Sequence, residues 1–454
     1  MFEFRSPQQG HGNTQTQLGD VLAVMGAALK AVDPAEAIHR HVRRDGSTLS
    51  VDQRVYNLDD YKNIYVVGAG KAGSVMAQAT EEIMGDRITR GAVVVKRGYT
   101  APTRKIVIHE GGHPLPDPAG LVGTRQIASI LADTTAEDLV VSLISGGGSA
   151  LLVMPVDGIQ LRNLQALTGQ LLASGATINE INAVRKHLSA VKGGQLARMA
   201  APAEVVTLIL SDVVGSPLDV IASGPTVPDE STYEAAWQVL DRYNLWAKTP
   251  ASIREHLDAG RQQKIAETPK PGDPVFDRVT NVIIGDNAMA AEAAIEKAGA
   301  LGYNTLLLST YIEGEAREVA RVFAGIAREI VSHSRPLSAP ACVVAGGETT
   351  VTLQGMGRGG RNTELALAAG IAIEGLDNAL IASLATDGTD GPTDAAGAIA
   401  NGSTVARART QGLAPRDYLR RSDSYHFFDQ LGDLIITGPT NTNVNDLIFV
   451  FVFE

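Results

Sequence analysis

A glycine-rich turn that carries a lysine is the first feature of this sequence with the character of an anion-binding site. Residues 67–73 read VGAGKAG and follow an apolar run, so a strand should lead through a turn into a helix whose first N–H groups can bind an anion. Gly68, Gly70 and Gly73 match the GxGxxG spacing of dinucleotide-binding folds. Lys71 adds a fixed positive charge inside the turn, which suits a transferable phosphate or a carboxylate better than a pyrophosphate.

A second glycine-rich turn follows another apolar run, at residues 145–149. Gly146, Gly147 and Gly148 stand between Ser145 and Ser149. Because glycine has no Cβ, these backbone amides can approach phosphate oxygens closely. The segment is therefore a second candidate anion site, and a flexible strand–helix turn is the alternative.

A third region combines glycines with arginine. Glu348 lies in the run GGETT, and Arg361 and Asn362 end the run GRGGRN. The planar guanidinium group of Arg361 is suited to binding phosphate or carboxylate groups. Pairing of Arg361 with a carboxylate of the protein itself is the structural alternative.

Aspartates at strand ends supply the complementary chemistry. Asp212 follows the apolar run 205–210, and ligands of open α/β sheets collect at the carboxyl ends of strands. Asp212 could accept a proton from a substrate hydroxyl or bind Mg²⁺. Asp387 and Asp390 have the spacing of a metal-binding loop, although the glutamate of a calcium EF-hand loop is missing. A series of Asx turns is the alternative for this pair.

Apolar β-branched runs that alternate with helical patterns must position these groups, and they predict an α/β protein with two domains. We expect an N-terminal, Rossmann-like, mostly parallel three-layer sandwich over 1–250, and a C-terminal α/β domain with a mixed sheet over 275–454. Residues 251–274 are taken as a connection, and the active site is expected in the cleft between the domains. The predicted strands are 64–67, 92–95, 105–108, 139–144 and 205–210, then, for the second series, 279–284, 305–308, 341–344, 349–353, 378–384, 434–436 and 447–452. The predicted helices are 18–42, 72–84, 119–133, 159–174, 178–188 and 288–298.

Composition excludes several classes of protein. Among 454 residues, 39 Lys and Arg stand against 50 Asp and Glu, for a net charge of −11, so there is no basic surplus for binding nucleic acid. The single cysteine, Cys342, can form neither an internal disulfide nor a thiolate zinc site. Residues 1–17 are polar and do not resemble a signal peptide, and no apolar run is long enough to span a membrane. We therefore expect a cytoplasmic protein with no membrane partner.

The order of these motifs resembles the class II glycerate kinases, the glycerate 2-kinase family with a C-terminal MOFRL domain. The resemblance covers roughly residues 18–450 and implies phosphoryl transfer from ATP, with Mg²⁺, to the 2-hydroxyl of D-glycerate. The matching stretches are 67–73 (VGAGKAG), 111–117 (GGHPLPD), 145–151 (SGGGSAL), 182–189 (NAVRKHLS), 192–194 (KGG), 211–215, 222–228 (ASGPTVP), 345–350, 357–365 (GRGGRNTEL), 386–394 and 438–447 (GPTNTNVNDL).

Positions within the motifs suggest roles for individual residues. Lys71, Asp212 and Arg361 would be catalytic, and Asp212, Asp387 and Asp390 would bind the metal. The residues expected to bind substrate or phosphate are Gly70, Ser145, Gly146, Gly147, Gly148, Ser149, Lys186, Glu348 and Asn362.

A homodimer is the expected assembly.

Three departures from the family pattern keep other interpretations open. Ser216 stands where the family usually has Asp, Thr363 where it has Gln, and Asn441 where it has Gly. A family member using another hydroxy acid, or a binding protein without turnover, is therefore an alternative. Another is an NAD(P)-dependent reductase of hydroxypyruvate or tartronate semialdehyde, for which Lys96 and Arg97 could bind a 2′-phosphate.

Overall fold

The computed structural model of the chain describes residues 13–454, so most of the polar segment 1–17 lies outside the described residues. The chain divides into two compact units. One consists of Pro34–Ile284, and the other combines the described residues before Pro34 with Gly285–Glu454. The first described helix, α1 (Asn13–Ala31), belongs to the second of these units. Among the described residues, no helix combines the length and apolar character needed to cross a bilayer.

The unit Pro34–Ile284 alternates strands with helices, as the sequence predicts. Its strands are β1 (Val42–Asp45), β2 (Thr48–Val51), β3 (Arg54–Asn57), β4 (Asn63–Ala69), β5 (Arg90–Lys96), β6 (Ile106–Gly111), β7 (Asp138–Ser145), β8 (Glu204–Leu210) and β9 (Val279–Gly285). Its helices are α2 (Pro34–His41), α3 (Gly73–Met84), α4 (Pro118–Leu131), α5 (Gly148–Leu151), α6 (Leu161–Ala173), α7 (Ile178–His187), α8 (Gln195–Ala200), α9 (Tyr233–Arg242) and α10 (Ala251–Arg261).

The main sheet of this unit has the strand order β6-β5-β4-β7-β8-β9, and the neighbours from β6 to β8 pair in parallel. This order is that of a Rossmann fold, in which ligands bind where the strand order reverses. Here that point lies between β4 and β7. The small antiparallel sheet β1-β2-β3 was not predicted.

Helices cover both faces of the main sheet, so its strands are buried on both sides and read as continuous apolar runs. On one face, α4 and α8 pack against Val67, Val94 and Val140. On the other face lies α3, whose first residue, Gly73, packs against Val93. The predicted Rossmann-like three-layer arrangement is confirmed.

The second unit is built on a mixed sheet of order β10-β11-β15-β12-β13-β14, in which β10 and β11 are parallel and the other pairs are antiparallel. Its strands are β10 (Asn304–Glu315), β11 (Ala341–Thr350), β12 (Ala379–Ala385), β13 (Gly397–Asn401), β14 (Leu434–Ile435) and β15 (Asp446–Val452). Besides α1, its helices are α11 (Asn287–Ala300), α12 (Ala316–His333), α13 (Arg361–Ala372), α14 (Thr404–Thr410), α15 (Pro415–Arg420) and α16 (Ser424–Leu431). The predicted mixed sheet is confirmed.

The boundaries of the units differ from the predicted 1–250, 251–274 and 275–454. The segment taken as a connection contains α10, which buries Ile253 and Leu257 in the core of the first unit. The strand expected to open the second series is β9, which instead joins the first sheet beside β8. At the other end, α1 packs on α11 within the second unit. Long-range burial of apolar faces, which local patterns do not reveal, sets these boundaries.

Two predictions of single elements are wrong. The helix expected over 18–42 is two helices, because Pro34 begins α2 and a proline inside a continuous helix would break it. The strands expected at 341–344 and 349–353 are one strand, β11, which ends at Thr350.

Candidate active site

The glycine-rich turns after β4 and β7 meet at the point where the strand order of the first sheet reverses. They lie side by side because β4 and β7 are paired up to Ala69 and Ile144. The backbone N–H of Lys71 donates to the carbonyl of Gly146 at 2.8 Å. The N–H of Ala72 donates to the Ser145 hydroxyl at 3.1 Å. The two predicted anion-binding turns therefore form one structure, in which Ser145 supports the backbone.

Asp212, which follows the neighbouring strand β8, lies directly against this joint turn. A Cβ added to Gly146 would lie 2.3 Å from Asp212 Oδ2, and one added to Gly147 would lie 3.0 Å from the ring of His113 and 3.4 Å from Lys71 Cγ. These contacts leave room for glycine alone. Lys71, Asp212 and His113 thus all lie against this one turn.

The backbone N–H groups of this turn are suited to an anionic ligand, and the imidazole of His113 lies beside them. Within residues 13–454, no acceptor takes the N–H groups of Gly146 and Gly147, so they are available to a ligand. Burial, followed by the charges of Lys71 and Lys96, lowers the pKa of His113 to about 4. His113 is therefore a neutral imidazole at neutral pH.

A chain of polar side chains supports the far side of the turn. Ser149 Oγ lies 3.0 Å from Ser223 Oγ, and Ser223 donates to Asn182 Oδ1 at 3.1 Å. Ala222 and Ser223 adopt positive φ angles of 50° and 62°, which L-residues rarely occupy. A Cβ on Gly148 would come within 2.7 Å of Ala222 Cβ. Strained backbone of this kind tends to collect at functional sites.

The GxGxxG glycines have packing roles that do not require a dinucleotide. At Gly68, an added Cβ would lie 2.2 Å from the carbonyl oxygen of Leu143. At Gly70 it would lie 2.1 Å from Ser145 Oγ, and at Gly73 it would lie 2.8 Å from a methyl group of Val93. The cations considered for a 2′-phosphate also have protein partners. They are Arg97, which pairs with Asp117, and Lys96, which lies 4.8 Å from the centre of the Tyr99 ring.

Arg361, in the second unit, is held by carboxylates. Its Nη1 donates to Glu348 at 2.6 Å, and its Nε and Nη2 donate to the two oxygens of Asp446. These groups meet because the end of β11 and the end of β12 both flank the start of β15. Burial alone would lower the pKa of Arg361, but the two carboxylates outweigh it and raise that pKa. Arg361 thus has the carboxylate partners of the structural alternative, and at 32% side-chain exposure it is also reachable from solvent.

Asn362 and Asp390 organise the start of α13 behind Arg361. Asp390 accepts hydrogen bonds from the backbone N–H groups of Asn362 and Thr363 at 2.9 and 2.8 Å, and from the Thr363 hydroxyl. Both carboxylate oxygens are occupied, and the residue is buried. Asp390, predicted as a metal ligand, caps this helix, because a buried helix start leaves N–H groups that need acceptors.

Of the other predicted metal ligands, Asp387 accepts the backbone N–H of Thr389 in an Asx turn, and Asp212 lies against the joint glycine turn. Their role as metal ligands stays a prediction. Across residues 13–454, no group of three or more histidine, cysteine, aspartate or glutamate side chains is arranged to bind a metal ion. Mg²⁺ that enters with a nucleotide needs only one or two carboxylates in addition to phosphates.

Each departure from the family pattern has a local explanation. Thr363 is buried and caps α13 through Asp390. Asn441 is exposed and adopts a φ of 61°, a conformation that asparagine tolerates in place of glycine. Ser216 closes a turn at φ 52° by donating its N–H to Val213. The fold accommodates all three residues.

Two cations that sequence reasoning passed over line a cavity beside the glycine turn. Arg185 and Lys192 border a space of about 230 Å³ together with Gly147, Ser149 and His113. Both lie in motifs quoted for the resemblance, so their position in those motifs was the available signal. The adjacent Lys186, predicted to bind substrate, is buried and pairs with Asp229 at 3.3 Å.

Comparison with known proteins places this geometry in a family. Residues 20–258 match the family model described as domain of unknown function (DUF4147), and residues 341–446 match the MOFRL family. The chain is 42% identical over 95% of its length to a protein of Pyrococcus horikoshii named glycerate 2-kinase, of which it covers 96%. The chain belongs to the glycerate 2-kinase family.

Other members of the glycerate 2-kinase family agree in sequence and structure. A Thermotoga maritima protein named D-glycerate 2-kinase is 44% identical over 86% of this chain and 90% of its own. A solved structure of glycerate kinase from Thermotoga maritima superposes with a TM-score of 0.87 at 40% identity, covering 96% of this chain and all of that one. A relative from Agrobacterium vitis, 44% identical over 85% of this chain and 86% of its own, is provisionally named a hydroxypyruvate reductase.

Proposed function

We propose that this protein transfers the γ-phosphoryl group of ATP to the 2-hydroxyl of D-glycerate, giving 2-phosphoglycerate and ADP. The observation that carries the proposal is the joint glycine turn, which places Lys71, Asp212 and open backbone N–H groups around one point. Phosphoryl transfer requires positioning of the reactants and neutralisation of negative charge. The names of the family relatives support this activity over other phosphoryl transfers.

In the proposed reaction the 2-hydroxyl oxygen forms a bond to the γ-phosphorus while the bond from that phosphorus to the bridging oxygen breaks. Lys71 and the N–H groups of Gly146 and Gly147 neutralise charge on the transferring group. Asp212 accepts the proton that the hydroxyl releases. Its alternative role is to bind the Mg²⁺ that arrives with ATP; excess Mg²⁺ would then rescue Asp212→Asn, whereas it would not rescue the loss of a base.

Arg361, which lies in the second unit, stays a predicted catalytic residue. Because Glu348 and Asp446 hold its guanidinium group in one orientation, Arg361 is preorganised and needs no rearrangement when it binds an anion.

The experiment that tests the function is a phosphorus NMR spectrum of the protein with ATP, Mg²⁺ and D-glycerate. We expect a 2-phosphoglycerate resonance that grows together with ADP. A 3-phosphoglycerate resonance would contradict the assignment of the 2-hydroxyl. Oxidation of NADPH by hydroxypyruvate, without phosphate transfer, would establish the reductase instead.

Assembly and location belong to the same proposal. A homodimer is testable by sedimentation of the purified chain. A cytoplasmic location is supported by the single cysteine, Cys342, which is buried and leaves the fold independent of disulfides.

A further inference from the structure

The cavity beside the glycine turn contains more positive charge than the protein itself balances. Arg185 and Lys192 both line it. Lys192 is buried and donates to the carbonyl of Leu152 at 2.7 Å. Within the described part of the chain, no carboxylate lies within ion-pair distance of either cation, and no hydrogen bond reaches the guanidinium group of Arg185. A buried lysine without an anion is unfavourable, and Arg185, which is half-buried, adds a second positive charge beside it.

The neighbouring lysine shows what a structural cation looks like in this fold. Lys186 is as buried as Lys192, but its ammonium group lies 3.3 Å from Asp229 and 3.5 Å from Asp219. Asp229 is in turn held by Ser231 and Thr268. The protein therefore places a hydrogen-bonded carboxylate beside Lys186 and, among the described residues, none beside Lys192.

The pKa values of the two cations reflect the missing carboxylate. Burial, and then the charge of Arg185, lower the pKa of Lys192 to about 7. Burial lowers the pKa of Arg185 as well. An anion in the cavity would reverse both effects, because it would favour the charged form of each side chain.

The size and walls of the cavity restrict what the anion can be. Its volume of about 230 Å³ is below the range of pockets that enclose drug-sized ligands, so it suits a molecule of a few carbon atoms better than a nucleotide. Much of its wall is apolar, from Val153, Leu164 and Leu172. Ser149 and Gly147 border it on the side of the glycine turn.

We propose that Arg185 and Lys192 bind the carboxylate of the hydroxy-acid acceptor, so that the hydroxyl to be phosphorylated faces the glycine turn. This inference rests on the proposed kinase function and deepens it. It assigns recognition of the acceptor acid to the first unit. Any small 2-hydroxy acid would satisfy the two cations, and the apolar wall would limit its length.

The test compares Arg185→Met and Lys192→Met with the unaltered protein, using D-glycerate and its methyl ester as acceptors. The ester retains the 2-hydroxyl and lacks the charge. We expect each variant to raise the KM for D-glycerate about 10- to 100-fold, the loss of one charge-assisted hydrogen bond, with the KM for ATP unchanged. The preference for the acid over the ester should shrink by a similar factor.

Stability provides an independent measurement. Because methionine removes a buried charge that lacks an anion, Lys192→Met should raise the thermal unfolding midpoint of the ligand-free protein. Lys186→Met is the matched comparison and should lower the midpoint, because it leaves Asp229 buried without its cation. A purely structural Lys192 would give a lower midpoint in both variants.

The outcomes separate this inference from the proposed function. If the unaltered protein forms no phosphoglycerate, the proposed function fails. If it turns over and either variant keeps its KM for D-glycerate, the carboxylate site is wrong. A rise in the KM for ATP alone would assign the cavity to a nucleotide phosphate and would overturn the inference as well.

Discussion

Replacing Gly146 with alanine should displace the carboxylate of Asp212. The added methyl group would lie 2.3 Å from Asp212 Oδ2 and 2.7 Å from its Cγ. Unstrained non-bonded contacts to carbon need about 3.5 Å, so the carboxylate or the turn must move by about 1 Å. A misplacement of that size near a reacting centre costs about 100-fold in rate. We therefore expect Gly146→Ala to reduce kcat by about 100-fold.

The assay for Gly146→Ala is the rate of phosphoglycerate formation at saturating ATP and D-glycerate, with urea unfolding of the same protein. Overpacking should cost about 1–3 kcal/mol of stability, so the fold should persist. Gly169→Ala is the control, because a Cβ there meets nothing within 4 Å. Gly169 lies inside α6, where glycine is less favourable than alanine, so this variant should keep kcat and gain about 0.5–1 kcal/mol of stability. Unchanged kcat in folded Gly146→Ala would show that Asp212 lies away from the reaction.

Three further expectations concern charged groups. Lys71→Met should lower kcat by about 100- to 1,000-fold with little change in thermal stability, and full activity would refute its assignment. Arg361→Met should cost about 3 kcal/mol of stability because it leaves Asp446 buried and unpaired; adding Asp446→Asn should restore stability without turnover, and restored turnover would show that Arg361 only supports the fold. The pKa of His113 is lowered to about 4, so between pH 4 and 6.5 the unfolded chain binds the extra proton and stability must fall as pH falls. In urea titrations His113→Asn should flatten that fall, and an unchanged slope would refute it.

The elements that carry the candidate site follow from local patterns. The continuous apolar runs of β4, β7 and β8 identified strands buried on both faces, because only such strands need no polar side. Positions just after those strands, where Lys71, Gly146 and Asp212 stand, then had to meet at one sheet edge. The glycines marked the turns because no larger residue fits there.

Elements whose placement depends on distant packing were predicted less well. The strand β9 looks like the start of a new series, and its hydrogen-bonding neighbour β8 lies about 70 residues earlier. The helix α1 has an apolar face that could have packed on either unit, and it packs on α11. Pattern identifies which face of an element is buried, but not the surface that covers it.

By itself the sequence determined the α/β class, the strand–turn–helix positions of the site and the family, because these depend on residues close together in the chain. Tertiary structure alone decided which charges are balanced. Lys186 and Lys192 are indistinguishable as buried lysines of one segment until Asp229, far along the chain, pairs with the first. Arg361 likewise pairs with Asp446, the first residue of β15, only in the folded chain. The charge left without a partner is visible only after the chain has folded, since desolvation and pairing are properties of the folded surroundings.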